Sequence, residues 1–159
     1  MVIREINQDN RTDVEAFFRQ QWGSSLMVVA SGVYDCSELD GFVALDETGN
    51  IIGLLTFAYH NGQMELISLD SVKEGVGVGT SLLETFENDA KEKNIKAIHL
   101  VTTNDNVHAL AFYQKRGYVL HKLHKEAVKK ARLLKPEIPS IAENGIPIRD
   151  EIELMKPLA

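Results

Sequence analysis

The feature that most constrains the fold is a glycine-rich turn, the segment EGVGVGT from Glu74 to Thr80, between a β-rich run and an amphipathic helix. Three glycines at alternate positions let the backbone pass close to a ligand and leave its amide N–H groups pointing outward. The N-terminus of the following helix adds the positive end of its dipole. The segment therefore predicts a binding site for phosphate or pyrophosphate, and a flexible turn without a ligand is the alternative.

Two common phosphate-binding motifs fit this turn poorly. A nucleoside-triphosphate P-loop needs a lysine before Ser or Thr, whereas Thr80-Ser81 follows the last glycine directly. A dinucleotide-binding fold needs parallel strands that alternate with helices, and its third glycine comes three residues after the second. Here Gly79 follows Gly77 after only one residue. Both interpretations are weak on these grounds.

The spacing of apolar residues predicts an alternation of short strands and helices. The pairs Gly49-Asn50 and Asn61-Gly62 are hairpin signals, so the middle of the chain should form a three-strand antiparallel meander. Ser31-Gly32 interrupts the β-rich run 26–30 and a polar stretch covers 35–40, so a loop is predicted over 31–40. The predicted strands are 2–6, 26–30, 41–46, 51–60, 64–72, 96–103, 118–123 and 151–155, and the predicted helices are 10–21, a helix from 78 through 90, 107–116 and 126–134.

A second motif follows one strand after the helix. Asn106-x-x-Ala109-x-x-Phe112-Tyr113, followed by Gly117-Tyr118, resembles a signature of the GNAT N-acetyltransferase superfamily, and Gly77 and Gly79 match the glycines of its coenzyme A signature. Glu74 stands where that family usually has Gln or Arg. Residues 2–124 fit the family's order of elements.

The resemblance implies a mixed α/β fold of the α+β type. Its central, mostly antiparallel sheet would be flanked by helices and would splay apart between the fourth and fifth core strands. No internal repeat or shift in composition indicates a second domain. One domain over 1–159 is therefore predicted, with a core over 1–124 and a C-terminal helix and final strand over 125–159.

The family also implies acetyl-coenzyme A as co-substrate, bound between the strands at 64–72 and 96–103. Its pyrophosphate would lie on the amides of residues 76–80, and strand amides near Leu69 would bind the pantetheine arm. Asn106 would hydrogen-bond the arm, although capping of the helix that follows explains it nearly as well. The expected coenzyme-binding residues are Leu69, Asp70, Ser71, Glu74, Gly75, Val76, Gly77, Val78, Gly79, Thr80, Asn106, Ala109 and Phe112.

The expected reaction is direct acetyl transfer to a primary amine in a ternary complex, which needs a base for the ammonium and an acid for the leaving thiolate. The resemblance implies that Tyr113 is the acid, and an aromatic core residue is the alternative. Strict strand alternation places Glu65 and Leu69 on one face and Asp70 on the other. A carboxylate among apolar neighbours makes a good base, so Glu65 is the first candidate and Asp70 the second.

Trp22, Tyr34 and His60 are the candidates for binding the acceptor, because aromatic rings suit a cationic amine. Each also has a structural interpretation, as helix packing or as an exposed loop or hairpin residue. The sequence does not identify the acceptor, so a small-molecule amine, a peptide N-terminus and a protein lysine stay open. The histidines at 99, 108, 121 and 124 show no clustered spacing with carboxylates, and no metal site is predicted.

Composition excludes several classes of function. The net charge of −6 argues against a generic basic nucleic-acid binder. The longest apolar runs are far shorter than the roughly 20 residues of a membrane helix. Cys36 is the single cysteine and the N-terminus carries no secretion signal, so a cytoplasmic protein is expected. The resemblance implies a homodimer. Two further hypotheses stay open: an inactive acyl-coenzyme A sensor, suggested by Glu74, and a nucleotide-binding regulatory domain.

Overall fold

The computed structural model describes residues 1–73 and 75–158, so Glu74 lies outside the described residues. The fold is mixed α/β, with a mostly antiparallel sheet flanked by helices, as predicted. The described strands are β1 (Val2–Glu5), β2 (Leu26–Val29), β3 (Gly32–Asp35), β4 (Asp40–Leu45), β5 (Ile51–His60), β6 (Gln63–Ser71), β7 (Ala97–Thr103), β8 (Val119–His124) and β9 (Glu151–Pro157), and the helices are α1 (Arg11–Trp22), α2 (Val78–Glu92), α3 (Val107–Gln114) and α4 (Ala127–Leu134).

The chain forms two compact units. Unit 1 contains residues 1–26, 34–98 and 158, and unit 2 contains residues 27–33 and 99–157. The prediction of a single domain over 1–159 stays a prediction. None of the helices in the described ranges has both the length and the apolar character that a membrane crossing requires.

In unit 1 the strand order is β1-β4-β5-β6, and every neighbouring pair is antiparallel. The predicted meander of β4, β5 and β6 is therefore confirmed. One face of this sheet packs against α2, where Phe57 lies 5.1 Å from Phe86 between ring centroids. Gly53 makes this approach possible, because a Cβ there would lie 2.4 Å from a methyl group of Val78.

The second face of the unit 1 sheet packs against α1. This helix ends at Gly23, whose left-handed backbone (φ 76°) lets its N–H donate to the carbonyl of Arg19. Trp22, in the last turn, donates from its indole nitrogen to Asp70 of β6. The sequence predicted this helix and its end correctly.

The prediction of a loop over 31–40 is wrong for its first half. Residues 32–35 form β3, which pairs with β2 as a hairpin. The chain then turns through a short 3₁₀ helix over Cys36–Glu38, where Asp35 accepts hydrogen bonds from the amide and hydroxyl of Ser37. The Ser31-Gly32 interruption and the polar residues from Asp35 onward suggested a loop, but strand pairing satisfies the backbone of residues 32–35 instead.

A β-bulge in β6 overturns the strict alternation assumed for that strand. Thr56 of β5 pairs with Ser68, whereas the next residue, Phe57, pairs with Leu66. Two residues of β6 therefore oppose one residue of β5, and Ile67 is the extra residue. Every side chain before the bulge changes face. Glu65 consequently lies on the same face as Asp70, and the prediction that the two carboxylates point to opposite faces is wrong.

In unit 2 the strand order is β7-β9-β8, with β8 and β9 antiparallel. Helix α3 begins after Asn106, whose side-chain oxygen accepts from the amide of Ala109 at 3.1 Å. Asn104 lies between β7 and α3 and binds the segment of the chain that leads into β9. The side chain of Asn104 donates to the carbonyl of Pro147 and accepts from the amides of Arg149 and Asp150.

Candidate functional site

The glycine-rich turn has the geometry of an anion site at the start of α2. Gly75 and Gly77 adopt left-handed φ angles of 76° and 80°, which L side chains rarely adopt. Within the described ranges, no side chain caps this helix and no acidic residue lies in its first turn. The backbone N–H groups of Val78 and Gly79 therefore have no intrahelical acceptor and lie at the positive end of the helix dipole.

Packing fixes the position of this helix N-terminus. The side chain of Val78 is 2% exposed and lies against Gly53 of β5, whereas Val76, in the turn itself, is 62% exposed. The turn thus combines a rigid helix end with an open approach for a ligand. Glu74, the residue that departs from the family pattern, lies outside the described residues.

Three residues predicted for different roles lie together in unit 1. The Tyr34 hydroxyl is 2.8 Å from His60 Nε2 and donates to Glu65 Oε1 at 3.4 Å. His60 Nε2 is also 3.4 Å from Glu65 Oε1. A phenol, an imidazole and a carboxylate therefore form one hydrogen-bonded cluster, which we call the Tyr34 cluster.

Burial differs sharply across the Tyr34 cluster. Glu65 is 8% exposed, whereas the side chain of His60 is 47% exposed at the end of β5. The buried carboxylate can accept a proton, and the imidazole can pass that proton to water because one of its ring nitrogens can accept a proton while the other donates one. The cluster can therefore carry a proton from a buried site to solvent. The bulge at Ile67 makes it possible, since it turns Glu65 to this face.

Asp70 lies on the same face of β6, closer to the glycine-rich turn. Its Oδ1 accepts from the Trp22 indole at 3.2 Å, while its Oδ2 is buried without a partner among the described residues. Burial raises the pKa of Asp70 to about 6, although the bond from Trp22 opposes the rise. The Trp22 ring also packs against Phe18, with centroids 4.8 Å apart. Trp22 therefore has the helix-packing role that the sequence offered as its alternative.

Sequence reasoning missed a row of small polar groups between Glu65 and Asp70. Thr56 and Ser68 are both buried and share a hydrogen bond of 2.5 Å between their hydroxyls. Beside them lies Cys36, and burial raises the pKa of its thiol to about 11. The thiol is therefore protonated and inert at neutral pH. No signal in the sequence indicated this row, because its members lie on three separate segments of the chain.

The remaining residues predicted for the coenzyme divide between the two units. In unit 1, Leu69 is half-buried opposite Leu55, and the Ser71 hydroxyl donates to the carbonyl of Lys73. In unit 2, Asn106 caps α3 with its oxygen, so its amide nitrogen is the atom that could donate to a ligand.

The predicted acid, Tyr113, is buried in unit 2. Its ring packs edge-on against Phe112 and Tyr118, with centroids 5.2 Å and 5.6 Å away. The Arg116 guanidinium lies 3.7 Å from the centroid of Phe112 and donates to the carbonyl of that residue. Tyr113 is thus held rigidly on α3, and a role in chemistry stays a prediction.

The histidines also differ from their expected arrangement. Three of the four that the sequence singled out lie beside Glu153 of β9 in unit 2, namely His99, His121 and His124. Burial alone would raise the pKa of Glu153, but hydrogen bonds from His124 and His99 outweigh it and hold that pKa below its ordinary value. Sequence spacing did not show this cluster, because β9 enters the sheet from far along the chain.

Comparison with known proteins identifies the family. Residues 7–118 match the family model described as "Acetyltransferase (GNAT) family". The chain belongs to the GNAT acetyltransferases. The matched range includes the glycine-rich turn, the Tyr34 cluster and Tyr113 of this GNAT chain. The chain is 56% identical to the Bacillus subtilis (strain 168) protein YxbD over 145 residues, which is 91% of each chain.

Solved structures show the same fold. The IAA acetyltransferase from Bacillus cereus ATCC 14579 superposes with a TM-score of 0.74 at 23% identity, and the match covers 99% of both chains. A GNAT family acetyltransferase from Elizabethkingia anophelis, with acetyl-CoA bound, gives a TM-score of 0.68 at 21% identity, and the match covers 99% of this chain and 97% of the other. The fold class predicted from the sequence is confirmed.

Proposed function

We propose that this GNAT protein is an acetyl-coenzyme A dependent N-acetyltransferase that acts on a primary amine by direct attack in a ternary complex. The observation that carries the proposal is the Tyr34 cluster, in which the buried Glu65 has a hydrogen-bonded route to solvent. Family membership supports the acetyl group as the transferred unit. The acetyl-CoA bound to the E. anophelis acetyltransferase supports the co-substrate.

The glycine-rich turn is proposed to hold the coenzyme pyrophosphate. Two observations support this proposal. The left-handed glycines have no side chain that would occupy the space beside the turn, and the N–H groups of Val78 and Gly79 lie at the positive end of α2. Asn106 would add a donor for the pantetheine arm through its amide nitrogen. Leu69, Asp70, Ser71, Ala109 and Phe112 complete the proposed set.

The proposed reaction removes two protons from the nitrogen and delivers one to the leaving sulfur. An alkylammonium has a pKa near 10, so Glu65 removes one proton before the amine can attack. The neutral nitrogen then attacks the thioester carbonyl and a C–N bond forms. The C–S bond breaks, and the nitrogen releases its second proton to solvent as the amide forms. Tyr113 donates its phenolic proton to the leaving thiolate and recovers a proton from solvent. His60 returns the proton of Glu65 to water, which resets the base.

The acceptor is proposed to be a primary amine of a small molecule, a peptide or a protein. Tyr34 and His60 would contact it, since both lie within hydrogen-bond range of the proposed base. Trp22 is a weaker candidate, because its indole N–H is already bound to Asp70. A cytoplasmic homodimer is proposed from the single cysteine and the family resemblance.

The first test is isothermal titration with acetyl-coenzyme A and, separately, with an adenine dinucleotide. The test variant is Gly77→Asp, which adds a negative charge at the turn. Gly49→Asp is a matched control, because Gly49 has a similar φ of 84° and equally open space, but lies in the β4–β5 hairpin. We expect wild type and Gly49→Asp to bind acetyl-coenzyme A and Gly77→Asp to lose binding. Equal binding by both variants would exclude the turn as the pyrophosphate site.

The second test measures thiol release from acetyl-coenzyme A with a panel of amines. Glu65→Gln should lower kcat by roughly 10²–10⁴-fold, with the loss greatest at neutral pH where the ammonium dominates. Tyr113→Phe should lower kcat with little change in coenzyme binding. Tight binding of acetyl-coenzyme A without turnover of any amine would favour the sensor hypothesis. Tighter binding of the dinucleotide would favour the nucleotide-binding one.

A further inference from the structure

A second cluster of chemically active side chains lies in unit 2. Three imidazoles surround the carboxylate of Glu153: His99 Nδ1 is 3.1 Å from Oε2, His121 Nε2 is 4.0 Å from Oε2, and His124 Nε2 is 2.8 Å from Oε1. The rings of His99 and His121 also face each other edge to face, 5.6 Å apart. None of these residues belongs to the proposed transfer site.

The strand topology brings these residues together on one face of the sheet. Glu153 lies on β9, the middle strand, with His99 on β7 to one side and the other two histidines on β8. A bulge in β8 contributes as well. Leu120 pairs with Leu154, but Lys122 pairs with Glu153, so His121 is the extra residue of β8. In an unbulged strand His121 and His124, three residues apart, would lie on opposite faces, so only one of them could face Glu153.

We propose that His99, His121 and Glu153 bind one divalent first-row transition metal ion, such as Zn²⁺. Two imidazole nitrogens and one carboxylate oxygen are a ligand set that zinc and its neighbours in the series prefer. The three ligand atoms lie within 4.8 Å of one another. This site revises the expectation of no metal that sequence spacing suggested, and it does not depend on the proposed acetyl transfer.

The distances are close to those of a loaded site. Metal–ligand bonds of about 2.1 Å in a tetrahedron place ligand atoms about 3.4 Å apart. The His99–Glu153 separation of 3.1 Å is already near this value. The His121–Glu153 separation of 4.0 Å needs only a small closure, and His121, 46% exposed at the bulge, has room to move. Its exposure also leaves the metal a position for water.

His124 has a different part, as a positioning residue. Its Nε2 is 2.8 Å from Oε1 of Glu153, the carboxylate oxygen that His99 and His121 do not contact. A hydrogen bond of this kind fixes the orientation of a ligating carboxylate, and its loss weakens metal binding by about 10–100-fold. The four side chains thus form one cluster, in which three bind the metal and one orients a ligand.

The experiment is a titration of the untagged, chelator-treated full-length protein with Zn²⁺, followed by calorimetry, and with Co²⁺, followed by its visible absorption. We expect one ion per chain. His121→Ala should weaken Zn²⁺ binding at least tenfold, and so should Glu153→Gln. His108→Ala is the matched control, because His108 is exposed on α3 and outside the cluster. It should bind as wild type does.

Two further variants separate the ligands from the positioning residue. His124→Ala should weaken binding by about 10–100-fold. His124→Gln keeps an N–H donor near the same place and should recover most of that affinity and the Co²⁺ spectrum of wild type. Thermal melts with and without Zn²⁺ give a second readout, with a rise in Tm for wild type and His108→Ala and none for His121→Ala.

Three results would overturn the proposal. Wild type that takes up no ion at one equivalent would exclude the site. An equal loss of affinity in His121→Ala and His108→Ala would place the metal elsewhere on the surface. A wild-type Co²⁺ spectrum in Glu153→Gln would show that the carboxylate is not a ligand.

Discussion

Replacement of Asp70 by Asn should change how the stability of the protein depends on pH. Asp70 is largely buried on β6, one of its oxygens has no partner among the described residues, and its pKa is raised from 3.8 to about 6. Between these two pH values the folded chain keeps a proton that the unfolded chain has released. The free energy of unfolding therefore falls as pH rises through this window. Below this window Asp70 is protonated in both states and costs the fold nothing. Above it Asp70 is ionised in both states, and the full cost of the buried charge lowers the free energy of unfolding.

The magnitude follows from the two pKa values. The penalty for charging Asp70 in the folded state is about 0.5 kcal/mol at pH 4 and about 3 kcal/mol at pH 7. Asn cannot ionise, so Asp70→Asn has no such penalty, and it keeps an oxygen that can accept from Trp22. The stability of the variant relative to wild type should therefore increase by about 2 kcal/mol between pH 4 and pH 7. If the Asn amide lacks a hydrogen-bond partner, the stability of the variant changes by the same amount at pH 4 and at pH 7. The difference between the two pH values therefore stays the same.

The assay is urea denaturation of both proteins at half-unit intervals from pH 4 to pH 7.5. Asp46→Asn is a control of opposite sign, because hydrogen bonds from Thr48 and Asn50 lower the pKa of Asp46. Asp46 thus stabilises the fold above pH 3.8, so its replacement should be destabilising at every pH of this series and lose that effect only in stronger acid. A stability difference for Asp70→Asn that stays constant from pH 4 to pH 7 would refute the reasoning.

Three further outcomes follow from buried groups in unit 1. Cys36 is fully buried with a pKa raised to about 11, so it should resist thiol reagents in the native protein and react fully in urea; rapid native labelling would contradict its placement. Gly53→Ala should destabilise the fold by about 1–3 kcal/mol in denaturation curves, because its Cβ would overlap Val78, and an unchanged midpoint would show that α2 can shift freely. Trp22→Phe removes the hydrogen bond that lowers the pKa of Asp70, so the pH window should extend above 6, and a window shifted to lower pH would be inconsistent with that bond.

The sequence predicted well wherever local chemistry decides the structure. Asn61-Gly62 forms the turn between β5 and β6, and both residues have positive φ angles. Gly77 immediately precedes α2, as its place before the apolar period of the helix indicated. Tyr34, His60 and Glu65 were singled out from residue type and from their predicted places in a loop, beside a hairpin turn and in a strand, and their functional roles stay predictions. Their contact with one another was not predicted, since it depends on pairing between distant segments.

The sequence predicted poorly wherever one inserted residue or a distant strand decides the structure. The segment at β3 lies between the Ser31-Gly32 interruption and a polar stretch, yet pairing with β2 gives its backbone a strand partner. The bulge at Ile67 is invisible because its neighbour Leu66 is equally apolar, so two registers suit the pattern. The histidine cluster depends on Glu153, which is 54 residues from His99 in the chain. No spacing rule for metal ligands covers such a separation.

The bulge at Ile67 also explains how unit 1 tolerates a buried carboxylate. In an unbulged β6, Glu65 would lie on the face of Leu55 and Phe57, against the apolar side of α2. A charged group buried there without a partner is strongly unfavourable. The extra residue turns Glu65 to the opposite face, where Tyr34 and His60 reach its oxygen. In unit 2, the bulge in β8 lets His121 and His124, three residues apart, both face Glu153. In both units, one inserted strand residue brings titratable side chains together, and both proposed sites depend on it.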